Sequence, residues 1–298
     1  MDKYKLNEDI FKAQDIINNN FCHTFSKLYS FTTENINGYI NDFDLFNKSL
    51  LTVGSSLDQC INAILMGCSD VTVMDINPFV KYYFYLKKAA ILTLNYEDYY
   101  NFFQDYESNF NLFLEKLYQI IMKKLFVLNI ESFFFWDTLH KSYELKTIRY
   151  NLFNNKIKEQ NCIKKFNTYL NSDLNYKITK TKISNVNPKF IIDNILNIDK
   201  YTHINRYDNI FLSNIFDYQK ERINDFKYSL QYLKHMLNCD GKLMVAYLYG
   251  INDTNSLIDF SNSKVINDYN IKIISGVRGI YLNNNIKDGV AIYQKKRW

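Results

Sequence analysis

The chain has 298 residues, 47% apolar and 17% aromatic, with a formal net charge of +5, enough for one large α/β domain with an insertion or for two domains. The positive excess is scattered in short runs such as Lys164-Lys165 and Lys295-Lys296-Arg297, unlike the dense basic face of a dedicated nucleic-acid binder. Five cysteines without a CxxC pair and four histidines without HxH or HExxH spacing argue against a disulfide framework and against a bound metal.

Taken in chain order, Asn7 to about Ser30 reads as helical, with Ile10, Phe11, Ile16, Ile17, Phe21, Phe25 and Leu28 on an apolar stripe. Its polar start, MDKYKLNEDIFK, reads as too polar for a secretory signal, so none is expected. After an irregular stretch over Phe31–Lys48, Leu50–Val53 is a short apolar run of the kind a buried parallel strand needs, and it ends on Gly54-Ser55-Ser56. A helix follows over Gln59–Met66, with Gly67 as its C-terminal cap. Val71–Met74 is a second buried strand closed by Asp75, and Asn77 and Pro78 open the next helix, Phe79–Leu94. This strand–helix–strand–helix order implies a right-handed crossover in a parallel sheet.

From Tyr96 to about Lys180 the pattern is helical, with Phe110, Phe113, Leu114, Leu117, Ile120 and Ile121 at helical spacing. The apolar stretch Leu117–Ile130 is broken by Lys123 and Lys124, so no run reaches the length of a membrane span and a cytoplasmic location is expected. Strand-like runs return at Phe190–Ile192, Asn209–Leu212 and Leu243–Tyr247. The helix Tyr228–Leu237 precedes the last of them, with Asp240-Gly241 as a tight turn. Ile271–Ile274 and Val290–Tyr293 then suggest an antiparallel hairpin closing one edge of the sheet. The expected organisation is an N-terminal helical cap over 1–48, an α/β domain made of 49–95 and 186–298, and a helical insertion over 96–185 on the substrate side.

In open α/β sheets ligands bind at the carboxyl ends of the strands. Four such ends carry small or polar residues here: Gly54-Ser55-Ser56, Asp75, Asn194 and Ser213-Asn214. Gly54 lets backbone approach a ligand, and the helix after it offers free N–H groups. Asp75 stands about 20 residues after that loop, where a carboxylate grips ribose hydroxyls. Asn194 is placed to meet an adenine edge, and Ser213 and Asn214 to face the reacting centre. The loop lacks the glycines of GxGxxG, with Ser56 and Gln59 where two would stand. A cofactor without a pyrophosphate, such as S-adenosylmethionine, therefore suits it better than a dinucleotide. Each of these residues also has a plainer reading, Gly54 as a turn and Asp75 as a helix cap.

The phrases VGSSLDQ, DINP, LKKAAI, NYEDYYNFF and YDNIFLSNIFDY, within Leu50–Phe103 and Tyr207–Tyr218, resemble the 3-amino-3-carboxypropyl transferases of betaine-lipid synthesis and their bacterial relatives. The resemblance implies a class I methyltransferase-like, Rossmann-like α/β fold: a mostly parallel seven-stranded sheet with a C-terminal antiparallel hairpin, binding S-adenosylmethionine. It implies that Gly54, Ser55, Ser56 and Asp58 cradle the amino-acid part of the cofactor. Asp75 would hold the ribose, and Ser213, Asn214 and Asp217 would line the donor site. Asn77 and Asn194 are counted as cofactor-binding candidates from their own places, at the start of a helix and at a strand end. Leu57 departs from the glycine usual in those relatives, and Tyr85 from an acidic residue. The function expected is aminocarboxypropyl transfer to an unidentified small-molecule or lipid acceptor, with peripheral membrane contact compatible and no specific nucleic acid. Methyl transfer and a non-catalytic binding module are the alternatives.

Other motifs have competing readings. Glu97 and Asp98 are either ligand contacts or a helix start. Phe133–Trp136 is either core, an acceptor pocket or a membrane-facing cluster, and Tyr82, Tyr83 and Tyr85 are either cation–π partners or helix packing. His140 and His203 are either general bases or structural residues.

Overall fold

A computed structural model of the chain describes residues 2–19, 27–104, 111–154, 160–201, 203, 206–215, 223–246, 269–275 and 289–295. Apolar runs form the central strands: β2 (Ser49–Val53), β3 (Asp70–Asp75), β5 (Lys189–Ile192), β6 (Tyr207–Phe211) and β7 (Leu237–Ala246). The pairs β5–β3, β3–β2, β2–β6 and β6–β7 are parallel. The hairpin of β8 (Tyr269–Ser275) and β9 (Gly289–Lys295) completes the sheet, with β9 antiparallel to both neighbours. The strand order β5-β3-β2-β6-β7-β9-β8 makes this a class I methyltransferase-like, Rossmann-like α/β fold, as expected from the sequence. The chain leaves β2 toward β3 and β5 on one side and returns to β6 on the other, so the switch point lies between β2 and β6.

Side chains alternate between two cores, as the pleat requires. On one face Leu50, Val71, Val73, Phe211, Met244 and Ile292 join a large cluster. On the other, Leu51, Met74, Ile210, Leu212, Val245 and Tyr293 join a smaller one. The large cluster holds α2 (Asp58–Leu65) and α3 (Val80–Thr93), with α1 (Lys3–Asn19) and the run from α4 to α9 packed beyond them. That run comprises α4 (Tyr96–Gln104), α5 (Asn111–Leu128), α6 (Ile130–Ser142), α7 (Leu145–Leu152), α8 (Gln160–Phe166) and α9 (Asp173–Ile183). The smaller cluster is covered by the 3-10 segment Ile195–Tyr201 and by α10 (Ile223–Met236).

Two local expectations are corrected. The helix read as running to Ser30 is described over Lys3–Asn19, and Leu28–Tyr29 is not helical but a short strand, β1, pairing in parallel with β4 (Phe153–Asn154). Leu28 is buried through that pairing rather than on a helical stripe. Asp240-Gly241 does not precede the last parallel strand but lies inside β7. Tyr207 pairs with Leu237 and Asn209 with Lys242, so residues 238–241 bulge out of the ladder, with Asp240 left-handed at φ 64°.

The competing readings also resolve locally. Phe135 and Trp136 are buried core, Phe135 stacking on Tyr82 at 4.1 Å, while Phe134 is exposed. Tyr82 and Tyr83 are buried in the same cluster. Asn95 Oδ1 accepts from Asp98 N at 2.8 Å, which makes Asp98 part of the α4 start. His140 pairs with Glu115 at 2.9 Å between α5 and α6.

Candidate functional site

A cleft of about 360 Å³ opens at the carboxyl ends of β2, β3, β5 and β6, within the size range of small-molecule sites. Its floor is Val53 and Ser55, Met74 to Asn77, Asp193 to Ile195, and Ser213 to Ile215; its wall is Lys27 to Tyr29 and Thr32 to Glu34.

The loop after β2 is shaped by close approach. A Cβ on Gly54 would lie 2.5 Å from both Asp75 Oδ2 and Val80 Cγ2, so only glycine fits there. Ser55 and Leu57 are left-handed at φ 44° and 66°, a conformation costing about 1–2 kcal/mol in a non-glycine residue. Leu57 occupies it while fully buried, so the turn also carries an apolar anchor. Leu57 N donates to Gly54 O at 2.6 Å, closing the turn before α2.

Asp75, at the end of β3, accepts from Ser55 N at 2.7 Å through Oδ2 and from Asn77 N at 2.9 Å through Oδ1. Burial pushes its carboxyl above the ordinary range, against the N–H groups of Asn77, Ser55 and Ile76. Asn77 Oδ1 accepts from Phe79 N at 2.9 Å and so shapes the entry to α3. Asp193, after β5, receives Asn197 Nδ2 and Asn194 N at 2.7 Å each and Tyr201 Oη at 2.9 Å. Burial alone would raise it, but these donors hold it below the usual carboxylate range. Asn194 Oδ1 accepts from Leu196 N at 3.0 Å.

Glu34 is the residue that the sequence did not single out. It is 4% exposed and lies where the N-terminal segment crosses the cleft. Its Oε2 accepts from Gln59 Nε2 at 2.9 Å and from Tyr39 Oη at 3.3 Å, and its Oε1 from Ser213 Oγ. Burial raises the carboxyl to about 7 despite donation from Tyr39, Gln59 and the Asn214 backbone. Ser213 is left-handed at φ 54°, and Ala246 N donates to its carbonyl at 2.8 Å, so β7 and Glu34 together hold this strand end.

Of the residues expected at the site, Ser55, Asp75, Asn77, Asn194, Ser213 and Asn214 come together on the cleft. Gly54 and Ser56 shape the adjoining loop, and Asp217 lies outside the described residues. Asp58 does not reach the cleft. It is fully buried, bound to Lys87 Nζ at 2.8 Å, Tyr169 Oη at 2.9 Å and Thr32 N at 2.6 Å. Lys87 also donates to Ser56 O at 2.7 Å and lies 5.2 Å from the Phe31 ring centroid and 5.3 Å from that of Tyr83. Burial lowers the Lys87 pKa and Asp58 opposes that shift. The pair therefore fixes the loop from behind.

No protein-family model and no curated protein matches the chain. Solved structures similar to it include the N-methyltransferase NodS from Bradyrhizobium japonicum WM9 in complex with S-adenosyl-l-homocysteine. That match is 8% identical and covers 84% of this chain and 79% of that one, at a TM-score of 0.38. An rRNA methylase from Streptococcus thermophilus is 8% identical, with 85% of this chain and 90% of that one covered, at a TM-score of 0.37. The fold assignment stands on the strand order itself.

Proposed function

We propose that the chain is an S-adenosylmethionine-dependent transferase whose cofactor sits in the cleft at the ends of β2, β3, β5 and β6. The observation that carries this reading is the setting of Asp75. A carboxylate has about four acceptor positions; Ser55 N and Asn77 N take one on each oxygen, and the Ile76 N–H also faces it. Capacity remains for a hydroxyl donor such as a ribose. Gly54 keeps that carboxylate close to the loop, since any side chain there would collide with it. The lining agrees: its acidic groups Glu34, Asp75 and Asp193 outnumber Lys27, and a ligand bearing positive charge would favour the ionised form of the two that burial raises.

When bound, the cofactor supplies an electrophilic carbon beside a sulfonium. The chain's own residues would orient and enclose it. Asp75 fixes the sugar end, Ser55 presents backbone close to the loop, and Asn194 borders the base. The wall from Lys27 to Glu34 limits water at the reacting end. The resemblance to betaine-lipid transferases supports aminocarboxypropyl transfer, with a small-molecule or lipid acceptor.

Calorimetric titration of the purified protein with S-adenosylmethionine tests the cofactor. Binding is expected, weakened at least tenfold in Asp75→Ala; no heat in the wild type overturns the reading, and unchanged affinity in the variant removes the role of Asp75. Incubation with S-adenosylmethionine and cell extract then identifies the group moved. Methylthioadenosine is the product expected; S-adenosylhomocysteine would mean methyl transfer instead.

A further inference from the structure

We propose that Glu34 and Ser213 form a proton relay, with Ser213 Oγ taking the proton of an acceptor hydroxyl or amine and passing its own to Glu34. The inference rests on the transferase reading and names the acceptor class: a nucleophile that must lose a proton as it reacts.

Geometry carries it. Ser213 Oγ donates to Glu34 Oε1 and lies 3.3 Å from Asn214 Oδ1. Both Glu34 and Ser213 line the cleft, at 4% and 7% exposure. Glu34 Oε2 is occupied from behind by Gln59 Nε2 and Tyr39 Oη, so the carboxylate turns its other oxygen to Ser213. Gln59 is held in turn by Thr52 Oγ1, which donates to its Oε1 at 2.9 Å and fixes which end of the amide faces Glu34. A hydroxyl whose proton is committed to a carboxylate presents its lone pairs outward, as a relay requires.

The balance is simple. The acceptor's lone pair forms the new bond to the carbon it attacks, and the electrons of that carbon's bond to sulfur stay on sulfur. The acceptor's proton moves to Ser213 Oγ, the Ser213 proton moves to the Glu34 carboxylate, and Glu34 later returns a proton to solvent. Ser213 is therefore the group that touches the acceptor, and Glu34 acts through it. Among the described residues, the other titratable groups of the cleft are Lys27, Tyr29, Asp75 and Asp193. Tyr39 faces Glu34 from its own segment, and Asp58 and Lys87, on the α2 and α3 side, are paired with each other. A carboxyl raised to about 7 is half-ionised near neutrality, where a base is most effective.

The test has an arm that needs no cofactor. Infrared difference spectra of the unliganded protein, followed from about pH 5 to about pH 9, should show a protonated-carboxyl band lost with a midpoint near 7. The band should be absent in Glu34→Gln and moved in frequency in Ser213→Ala. In the turnover arm, with cell extract supplying acceptor, the wild-type rate should rise with pH through about 7. Both variants should lose that limb and about a hundredfold or more in rate, while still binding S-adenosylhomocysteine. A band that persists in Glu34→Gln, or a pH limb retained in a folded variant, overturns the relay. Should Glu34→Gln fail to fold, Ser213→Ala decides in both arms. Failure of the cofactor reading shows separately, as no heat when the wild type is titrated with S-adenosylmethionine, and the infrared arm still judges the pair.

Discussion

Glu34 is a buried acid whose ionisation the fold opposes, and that opposition has a measurable sign. The folded carboxyl sits near 7 against an ordinary 4.5. Between those values the folded chain keeps a proton that the unfolded chain has released, so stability falls as pH rises through this window. The drop amounts to about 3 kcal/mol at most, at about 1.4 kcal/mol per pH unit. Urea unfolding at about pH 5 and about pH 8 should show it in the wild type, and Glu34→Gln should flatten the difference between the two. Equal slopes in both proteins would exclude Glu34 as the source. This residue could not be picked out from the chain alone. It lies in an aperiodic stretch, and its partner Ser213 is 179 positions away. Asp75 was legible because it closes an apolar run and follows the glycine loop by one βα unit. Asp58 was legible as part of a motif but not as an inward-facing residue, because the lysine that captures it stands 29 positions on.

At the scale of elements, α2 and α3 are locked by one ion pair. Lys87 on α3 reaches Asp58 at the start of α2, and both side chains are fully buried. Tyr169, beyond α8, and Thr32, on the cleft wall, bind the same carboxylate. Lys87→Met would leave that charge without its cation, a loss of about 3–5 kcal/mol. Denaturant unfolding should record it, and adding Asp58→Leu should restore much of it, since a buried pair replaced on both sides is often neutral. If the double variant were no better than the single, the cation would not be what the carboxylate needs. The parallel strands were readable because each is a short apolar run between small or polar residues. The bulge at residues 238–241 was not, because Asp240-Gly241 reads equally as a turn between elements or as a break inside one. The pairing of β1 with β4 was hidden for another reason: two residues carry no period, and Leu28 fits a helical stripe by spacing alone.

The whole molecule is lopsided. One face of the sheet carries α1 to α9 over a large continuous core, while the other is covered by the Ile195–Tyr201 segment and α10 among the described residues. Local opening follows the thinner layer. Amide hydrogen exchange should therefore release α10 and the edge strand β8 well before β2, β3 and α3. Equal protection of α10 and α3 would contradict this. The lopsidedness also sets how the helical segment meets the cleft. The described lining holds no residue of α4 to α9, yet Leu28 and Tyr29 on its wall are zipped to Phe153 and Asn154, and Lys27 reaches the Tyr150 carbonyl at 3.1 Å. That seam works like a hem between two fabrics. On the proposed reading, change in the helices would tug the wall of the cleft while the strand ends of its floor stay put, so acceptor preference would shift without disturbing the residues assigned to the cofactor.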